Sequence, residues 1–78
     1  SKSEATIIAE GQIRHSKRVF ANHVDIALGS AAELDTQLLI AREIGYLSQE
    51  VYRRLADELT EIIKMLYGLY RAISGQND

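Results

Sequence analysis

The 78-residue chain has no cysteine, no proline and no tryptophan, and it has a single phenylalanine. Without cysteine it can form neither a disulfide framework nor a thiolate metal site, which fits a reducing, cytoplasmic setting. Without proline, nothing forces long helices to break. The longest apolar runs span only a few residues, so the sequence predicts no membrane-spanning segment and no secretory signal. We therefore expect a cytoplasmic protein without membrane contacts.

The chain also lacks an excess of basic residues. Nine Lys and Arg stand against eleven Asp and Glu, which gives a net charge of −2. Proteins that bind nucleic acid usually carry a global basic excess, so any such site in this chain must be local. Ala, Leu, Ile, Glu and Arg dominate the sequence, and these residues favour helices. Length and composition together predict one all-α domain over residues 1–78.

The N-terminal residues predict a short helix. Ser1 and Glu4 fit a capping box, in which each side chain hydrogen-bonds to the backbone N–H of the other residue. Gly11 is placed to end this helix in a left-handed conformation. We predict a short helix over about 2–10.

Two long helices follow and form a hairpin. Ser16 is a plausible N-cap for a helix over about 16–44, and Ser48 caps a second helix over about 48–73. Gly45 fits the left-handed position that ends the first of them. Since the connection is only a few residues long, the two helices must run antiparallel.

Each long helix carries a stripe of apolar residues at alternating steps of three and four. Such spacing places them on one line of a helix, so the two stripes predict a packing seam. We expect full burial near the middle of both helices, at Leu34, Leu38, Leu59 and Ile62. The seam consists of Phe20, Val24, Ala27, Ala31, Leu34, Leu38 and Ala41 on the first helix and Tyr52, Leu55, Leu59, Ile62, Leu66, Leu69 and Ile73 on the second.

Both helices have further apolar residues outside the seam. A two-helix hairpin covers about one stripe on each helix, so these flanks need further helices, either from additional sequence or from other copies of the chain. We expect a homo-oligomer instead of a stable monomer. The candidate interface residues are Ile26, Leu28, Ala32, Leu39, Ile40, Ile63 and Tyr70.

The basic run Arg14, His15, Lys17 and Arg18 is the candidate nucleic-acid contact. In the first turn of the predicted helix, cations oppose the helix macrodipole, so another requirement could select them. One interpretation is a phosphate-contacting patch that an oligomer repeats. The simpler interpretation is an ordinary solvated loop.

Other polar groups have structural interpretations. Ser30, Glu33 and Gln37 form a row on one helix, which could orient a ligand but more simply is a buried row that fixes helix register. His15 and His23 lie eight residues apart and lack the i, i+4 spacing of a helical metal pair.

Asp57, Glu58 and Glu61 form an acidic ridge that we interpret as a solvated face. No Ser-His-Asp set, cysteine nucleophile or Gly-rich phosphate loop can be assembled from this sequence. The sequence therefore predicts no catalytic residue, no cofactor site and no metal site, and we expect that the protein is not an enzyme.

Five segments carry a family resemblance: IAEG (8–11), RHSK (14–17), IALGSAAELDTQLLIA (26–41), GYLS (45–48) and KMLYGL (64–69). These segments resemble the 23S rRNA intervening-sequence proteins, a family of four-helix bundles. The resemblance follows the order of the segments along the chain and has no gaps. The chain resembles the C-terminal two-thirds of a member. The resemblance implies that the hairpin and the short helix belong to an up-down four-helix bundle.

The resemblance also implies a homo-oligomer, with a pentamer favoured, and no defined activity. Similar proteins accompany the reverse transcriptases of diversity-generating retroelements, where a basic bundle contacts nucleic acid. We expect a non-enzymatic, oligomeric interaction scaffold. The alternative is an accessory protein that binds RNA or DNA through a local basic patch.

Overall fold

The computed structural model describes residues 3–75, which form two α-helices joined by a short turn. Helix α1 spans Glu4–Glu43, and helix α2 spans Gln49–Ser74. The described range contains no strand, which confirms the predicted all-α class. Neither of these helices has an apolar stretch long enough to cross a membrane.

Helix α1 is longer than predicted, because it runs through Gly11 without a break. Its N-cap is Ser3, whose hydroxyl accepts a hydrogen bond from the backbone N–H of Thr6 at 3.2 Å. The predicted capping box starts at Ser1, which lies outside the described residues.

The predicted helix end at Gly11 and the predicted N-cap at Ser16 are wrong, since both residues lie inside α1. The separate short helix over 2–10 is therefore not formed. A glycine inside a helix costs only about 1 kcal/mol relative to alanine, and the neighbouring residues are good helix formers. No proline is present to force a break.

The turn between the helices has the predicted geometry. Gly45 is left-handed, with φ of +88°. Its N–H donates to the carbonyl of Arg42 at 3.1 Å, and the N–H of Tyr46 donates to the carbonyl of Ala41 at 2.9 Å. These two bonds form a Schellman motif, which satisfies carbonyls at the end of α1.

Helix α2 also follows its local signals. The hydroxyl of Ser48 accepts a hydrogen bond from the N–H of Val51 at 3.1 Å, which confirms Ser48 as the N-cap. The helix begins and ends within one residue of the predicted bounds. A left-handed Gly75 closes its C-terminus.

The molecule is an extended two-helix hairpin that measures 65 × 19 × 13 Å. Its radius of gyration is 18.7 Å, whereas a compact domain of this length has about 12 Å. The extension arises because α1 has 40 residues and α2 has 26. Residues 4–13 of α1, which we call the overhang, lie beyond the end of α2.

The core is confined to the seam. Val24, Ala31 and Leu59 are buried, and all three are predicted seam residues. Leu34 and Ile62 remain 45% and 46% exposed, so the prediction of full burial there is wrong for the single chain. Two helices touch along one line, and side chains beside that line keep one side in solvent. Of the other seam residues, Ala27, Leu38, Ala41, Tyr52, Leu55, Leu66 and Ile73 are half-buried, and Phe20 and Leu69 are exposed.

Candidate interaction surfaces

The two sides of the seam differ in chemistry. Leu28 and Leu34 lie six residues apart on α1, which places them about 120° apart around the helix. Leu34 lines a groove together with Ile62 of α2. Leu28 lines a separate cleft together with Tyr67 of α2. The hairpin therefore presents one groove on each side of the line where its helices touch.

On the first side lies the open apolar face, which we define as Phe20, Leu34, Ile62, Met65 and Leu69. At its centre is a groove of about 300 Å³ between the helices. The groove is lined by Leu34, Leu38, Leu55, Glu58, Leu59 and Ile62. Since only one of these residues is titratable, the groove suits the burial of an apolar surface and not acid–base chemistry.

A second apolar surface on α1, the outer stripe, consists of Val19, Ile26, Ile40 and Ile44. Val19, Ile26 and Ile40 recur at multiples of seven residues, which places them on one face of the helix. Glu33 occupies the position between Ile26 and Ile40. Every member of the outer stripe is exposed.

The predicted polar row lies next to these apolar surfaces. Ser30, Glu33 and Gln37 are all exposed to solvent. The expectation that they form a buried row is therefore wrong for the single chain. An additional helix packed against this side of α1 would bury them.

The residues predicted to form an oligomer interface divide into two groups. Ile26, Ala32, Leu39 and Ile40 are exposed. The other three are half-buried, because they flank the seam within the hairpin. This second group consists of Leu28, Ile63 and Tyr70.

The basic residues near the N-terminus lie about three turns inside α1, because the helix already begins at Glu4. The expected conflict with the positive end of the helix dipole therefore does not arise. His15 is exposed and does not line the cleft formed by the other residues of the run. The remaining three share a cleft of about 320 Å³, which is lined by Arg14, Lys17, Arg18, Ala21, Ile73 and Ser74.

This basic cleft adjoins the C-terminus of α2, to which Ile73 and Ser74 belong. The C-terminal end of a helix carries a partial negative charge, which attracts cations by some tenths of a kcal/mol each. The hairpin itself thus supplies a structural reason for the position of Arg14, Lys17 and Arg18.

On the other side of the seam lies a cleft of about 530 Å³ between the helices. It is lined by Asp25, Leu28, Gly29, Tyr67 and Tyr70. The cleft is open beside Gly29, where a Cβ atom would meet nothing within 4 Å. Asp25 is the only charged residue of the lining. Sequence reasoning did not single out Asp25 or Tyr67, since they lie on different helices and only the packing of the hairpin brings them together.

Sequence reasoning also missed a contact beside the turn. The guanidinium carbon of Arg42 lies 4.4 Å from the centroid of the Tyr52 ring. Nη2 of Arg42 donates a hydrogen bond to Oε1 of Glu43 at 2.8 Å. The sequence feature that could have predicted this contact is the short turn, because it brings the end of α1 close to the start of α2.

The remaining polar clusters are solvated. Asp57, Glu58 and Glu61 are exposed, and Glu61 forms an ion pair with Lys64 at 3.7 Å. Exposed ion pairs of this kind contribute about 0.2–1 kcal/mol. Within residues 3–75, no three His, Cys, Asp or Glu side chains are grouped to hold a metal ion.

Comparison with known proteins gives one match. The profile of the 23S rRNA-intervening sequence protein family matches residues 1–68, which is most of the chain. No curated protein and no solved structure matches significantly. The family match agrees with the segments that carried the resemblance. The chain therefore belongs to the 23S rRNA-intervening sequence protein family.

Proposed function

We propose that this protein is a non-enzymatic scaffold that assembles as a homo-oligomer through its open apolar face and its outer stripe. The observation that carries the proposal is the exposure of these two surfaces, whose large apolar side chains are between 39% and 66% exposed. Full burial of such a side chain is worth about 1.5 to 3 kcal/mol. Soluble monomers rarely expose contiguous apolar surface of this extent.

The total surface of the chain supports the same proposal. Its accessible area is 6168 Å² for a mass of 8.7 kDa, whereas a folded monomer of that mass exposes about 4,700 Å². The difference of roughly 1,400 Å² exceeds the roughly 800 Å² that each partner loses in a standard interface. Two interfaces per copy fit this surplus better than one, and two per copy is what a closed ring provides.

The number of copies is a separate proposal. The family resemblance favours five copies, and a ring of five gives each copy two identical neighbours. In such a ring, Ile26 and Ile40 of the outer stripe would meet the neighbouring chain. Glu33 lies between them, and a hydrogen-bonded polar group at that position would fix the register of the contact.

Native mass spectrometry at micromolar concentration tests the proposal with two matched double variants. Ile26→Glu with Ile40→Glu places two charges on the outer stripe. Ile7→Glu with Ile13→Glu places two charges on the overhang, at residues that are similarly exposed. We expect an oligomer for the parent and the overhang variant. The outer-stripe variant should dissociate at least a hundredfold more readily, since each buried unpaired charge opposes assembly.

A monodisperse 8.7 kDa parent would overturn self-association. If the outer-stripe variant still forms the oligomer, the outer stripe is not part of the interface. Circular dichroism should show that both variants keep their helices, because all four replaced side chains are exposed in the single chain.

A nucleic-acid-binding accessory protein is the second candidate. It is favoured by one observation, the convergence of Arg14, Lys17 and Arg18 on a single cleft. A ring would repeat this cleft and strengthen the local positive field. Retention of RNA and duplex DNA should then fall as salt rises, with a slope set by the number of phosphates contacted.

Replacing these three residues together with Ala should weaken retention and flatten its salt dependence. The matched control removes the same charge from the exposed side of α2, with Arg53→Ala, Arg54→Ala and Lys64→Ala. Equal retention by both triple variants would eliminate the basic cleft as a nucleic-acid site.

A further inference from the structure

We infer that the cleft lined by Asp25, Tyr67 and Tyr70 binds the guanidinium group of an arginine side chain presented by a partner protein. This inference is independent of the proposed self-association. It starts from a comparison of this cleft with the Arg42 contact beside the turn. Beside the turn, one carboxylate and one tyrosine ring contact a guanidinium, and the cleft lining contains one carboxylate and two tyrosines.

Beside the turn, the arrangement is complete. The Arg42 guanidinium lies over the Tyr52 ring at 4.4 Å and donates to the Glu43 carboxylate at 2.8 Å. The ring attracts the cation through its quadrupole, and the carboxylate takes a charge-assisted hydrogen bond. The Arg42 side chain is 28% exposed, so this contact also covers much of it.

In the cleft, the same groups are present without a cation. Tyr67 and Tyr70 lie about one turn apart on α2, and Asp25 lines the same cleft from α1. None of the five lining residues is basic. Within residues 3–75, the ion pairs and the cation–π contact involve other residues. The cleft lining thus contains the same kinds of group as the Arg42 contact, a carboxylate and tyrosine side chains, and it contains no guanidinium.

The chemistry of the lining selects the ligand class. A single carboxylate repels anions, and the tyrosine rings present faces on which a planar cation can stack. Guanidinium satisfies both requirements, because its fork of N–H donors matches a carboxylate while its plane stacks on an aromatic ring. The cleft volume of about 530 Å³ lies within the range of small-ligand pockets.

The position of the cleft allows a partner to reach it. It lies on the opposite side of the seam from the open apolar face, and no residue of that face or of the outer stripe lines it. The space around Gly29 in the cleft lining is open, since a Cβ atom there would meet nothing within 4 Å.

Titration of the ¹⁵N-labelled full chain with N-acetyl-argininamide tests the inference by NMR. We expect saturable shifts at the amides of Asp25, Gly29, Tyr67 and Tyr70, with a dissociation constant in the millimolar range. N-acetyl-citrullinamide, a neutral molecule of nearly the same shape, should cause no saturable shift. Guanidinium chloride and tetramethylammonium chloride should bind more weakly, since they lack the side-chain stem.

Variants separate the roles of the lining residues. Asp25→Asn and Tyr67→Leu should each weaken argininamide binding about two- to fivefold, the range expected for one exposed ion pair or one cation–π contact. Tyr70→Phe keeps the ring and should bind as the parent does. Asp35→Asn and Tyr46→Leu change exposed residues outside the cleft and serve as controls.

Equal binding of the citrulline and arginine probes would overturn the inference, as would full affinity in Asp25→Asn. Shifts centred on another acidic site, such as the ridge at Asp57, would also overturn it. Equal affinity for tetramethylammonium and argininamide would also overturn the inference, because the cleft would then bind any small cation and not an arginine side chain in particular.

Discussion

The turn end of the hairpin and the overhang are built from the same kind of helix, yet different forces hold them. At the turn, the Gly45 backbone, the Ser48 cap and the Arg42–Tyr52 contact tie two helices together. In the overhang, α1 extends past Ser74, the last residue of α2. Its large apolar side chains at Ile7, Ile8 and Ile13 remain exposed.

This difference shows how tertiary contact changes the stability of a helix. An isolated helix shorter than about 12 to 15 residues is marginal in water, because nucleation is costly and each added hydrogen bond contributes little. Within residues 3–75, the overhang owes its tertiary support to its continuity with the packed part of α1. We therefore expect it to open locally at low cost, whereas the turn end should open only when the whole hairpin unfolds.

The largest effect is expected from Leu59, which is buried in the seam. Leu59→Ala should lower the free energy of unfolding by about 2 to 5 kcal/mol through lost burial and a cavity. Ile8→Ala in the overhang should change it by less than about 0.5 kcal/mol. Urea denaturation at one fixed protein concentration measures both. A comparable loss at Ile8 would show that the overhang is packed in solution.

A second test acts on the backbone of the turn. Gly45 has φ of +88°, a conformation that costs other residues about 1 to 2 kcal/mol. Gly45→Ala should therefore lower the free energy of unfolding by about that amount without loss of helix content. Thermal unfolding followed by circular dichroism provides the measurement. An unchanged melting temperature would mean that the turn adopts another geometry.

Removing the two helix caps one at a time compares the stability of the turn end with that of the overhang. Ser48→Ala removes the acceptor for the Val51 N–H and should cost about 1 kcal/mol of global stability. Ser3→Ala removes the equivalent bond to Thr6, but the loss should be confined to fraying of the overhang. Hydrogen exchange distinguishes the two outcomes. Slower exchange in residues 4–13 than in α2 would contradict the proposed order of stability.

The smallest effect is expected at Gly11. A Cβ atom at this position approaches only the Arg14 side chain, at 4.0 Å, which is an ordinary contact. Gly11→Ala should raise the helix content of the overhang, since alanine is favoured by about 1 kcal/mol within a helix. Global stability should barely change. A loss of helix content would instead indicate that Gly11 adopts the left-handed conformation that ends a helix.

The local sequence was sufficient to determine the turn, the cap at Ser48 and the line of seam residues. Each of these depends on hydrogen bonds or side-chain spacing within a few residues, so the signal is complete in one short segment. The same local rules failed at Gly11, because a glycine permits a helix end without requiring one. Its helix-forming neighbours carried α1 through the position.

Only the tertiary structure decided which seam residues are buried and which side chains meet across the helices. Leu34 and Leu59 have equivalent positions in their stripes, yet only Leu59 is buried, because burial depends on the side from which the partner helix approaches. The packing of the hairpin also brings Asp25 and Tyr67 into one cleft. It likewise places Arg14, Lys17 and Arg18 beside the C-terminal end of α2. The register of one helix against the other sets these contacts, and that register depends on the packing of the whole hairpin and not on any single segment.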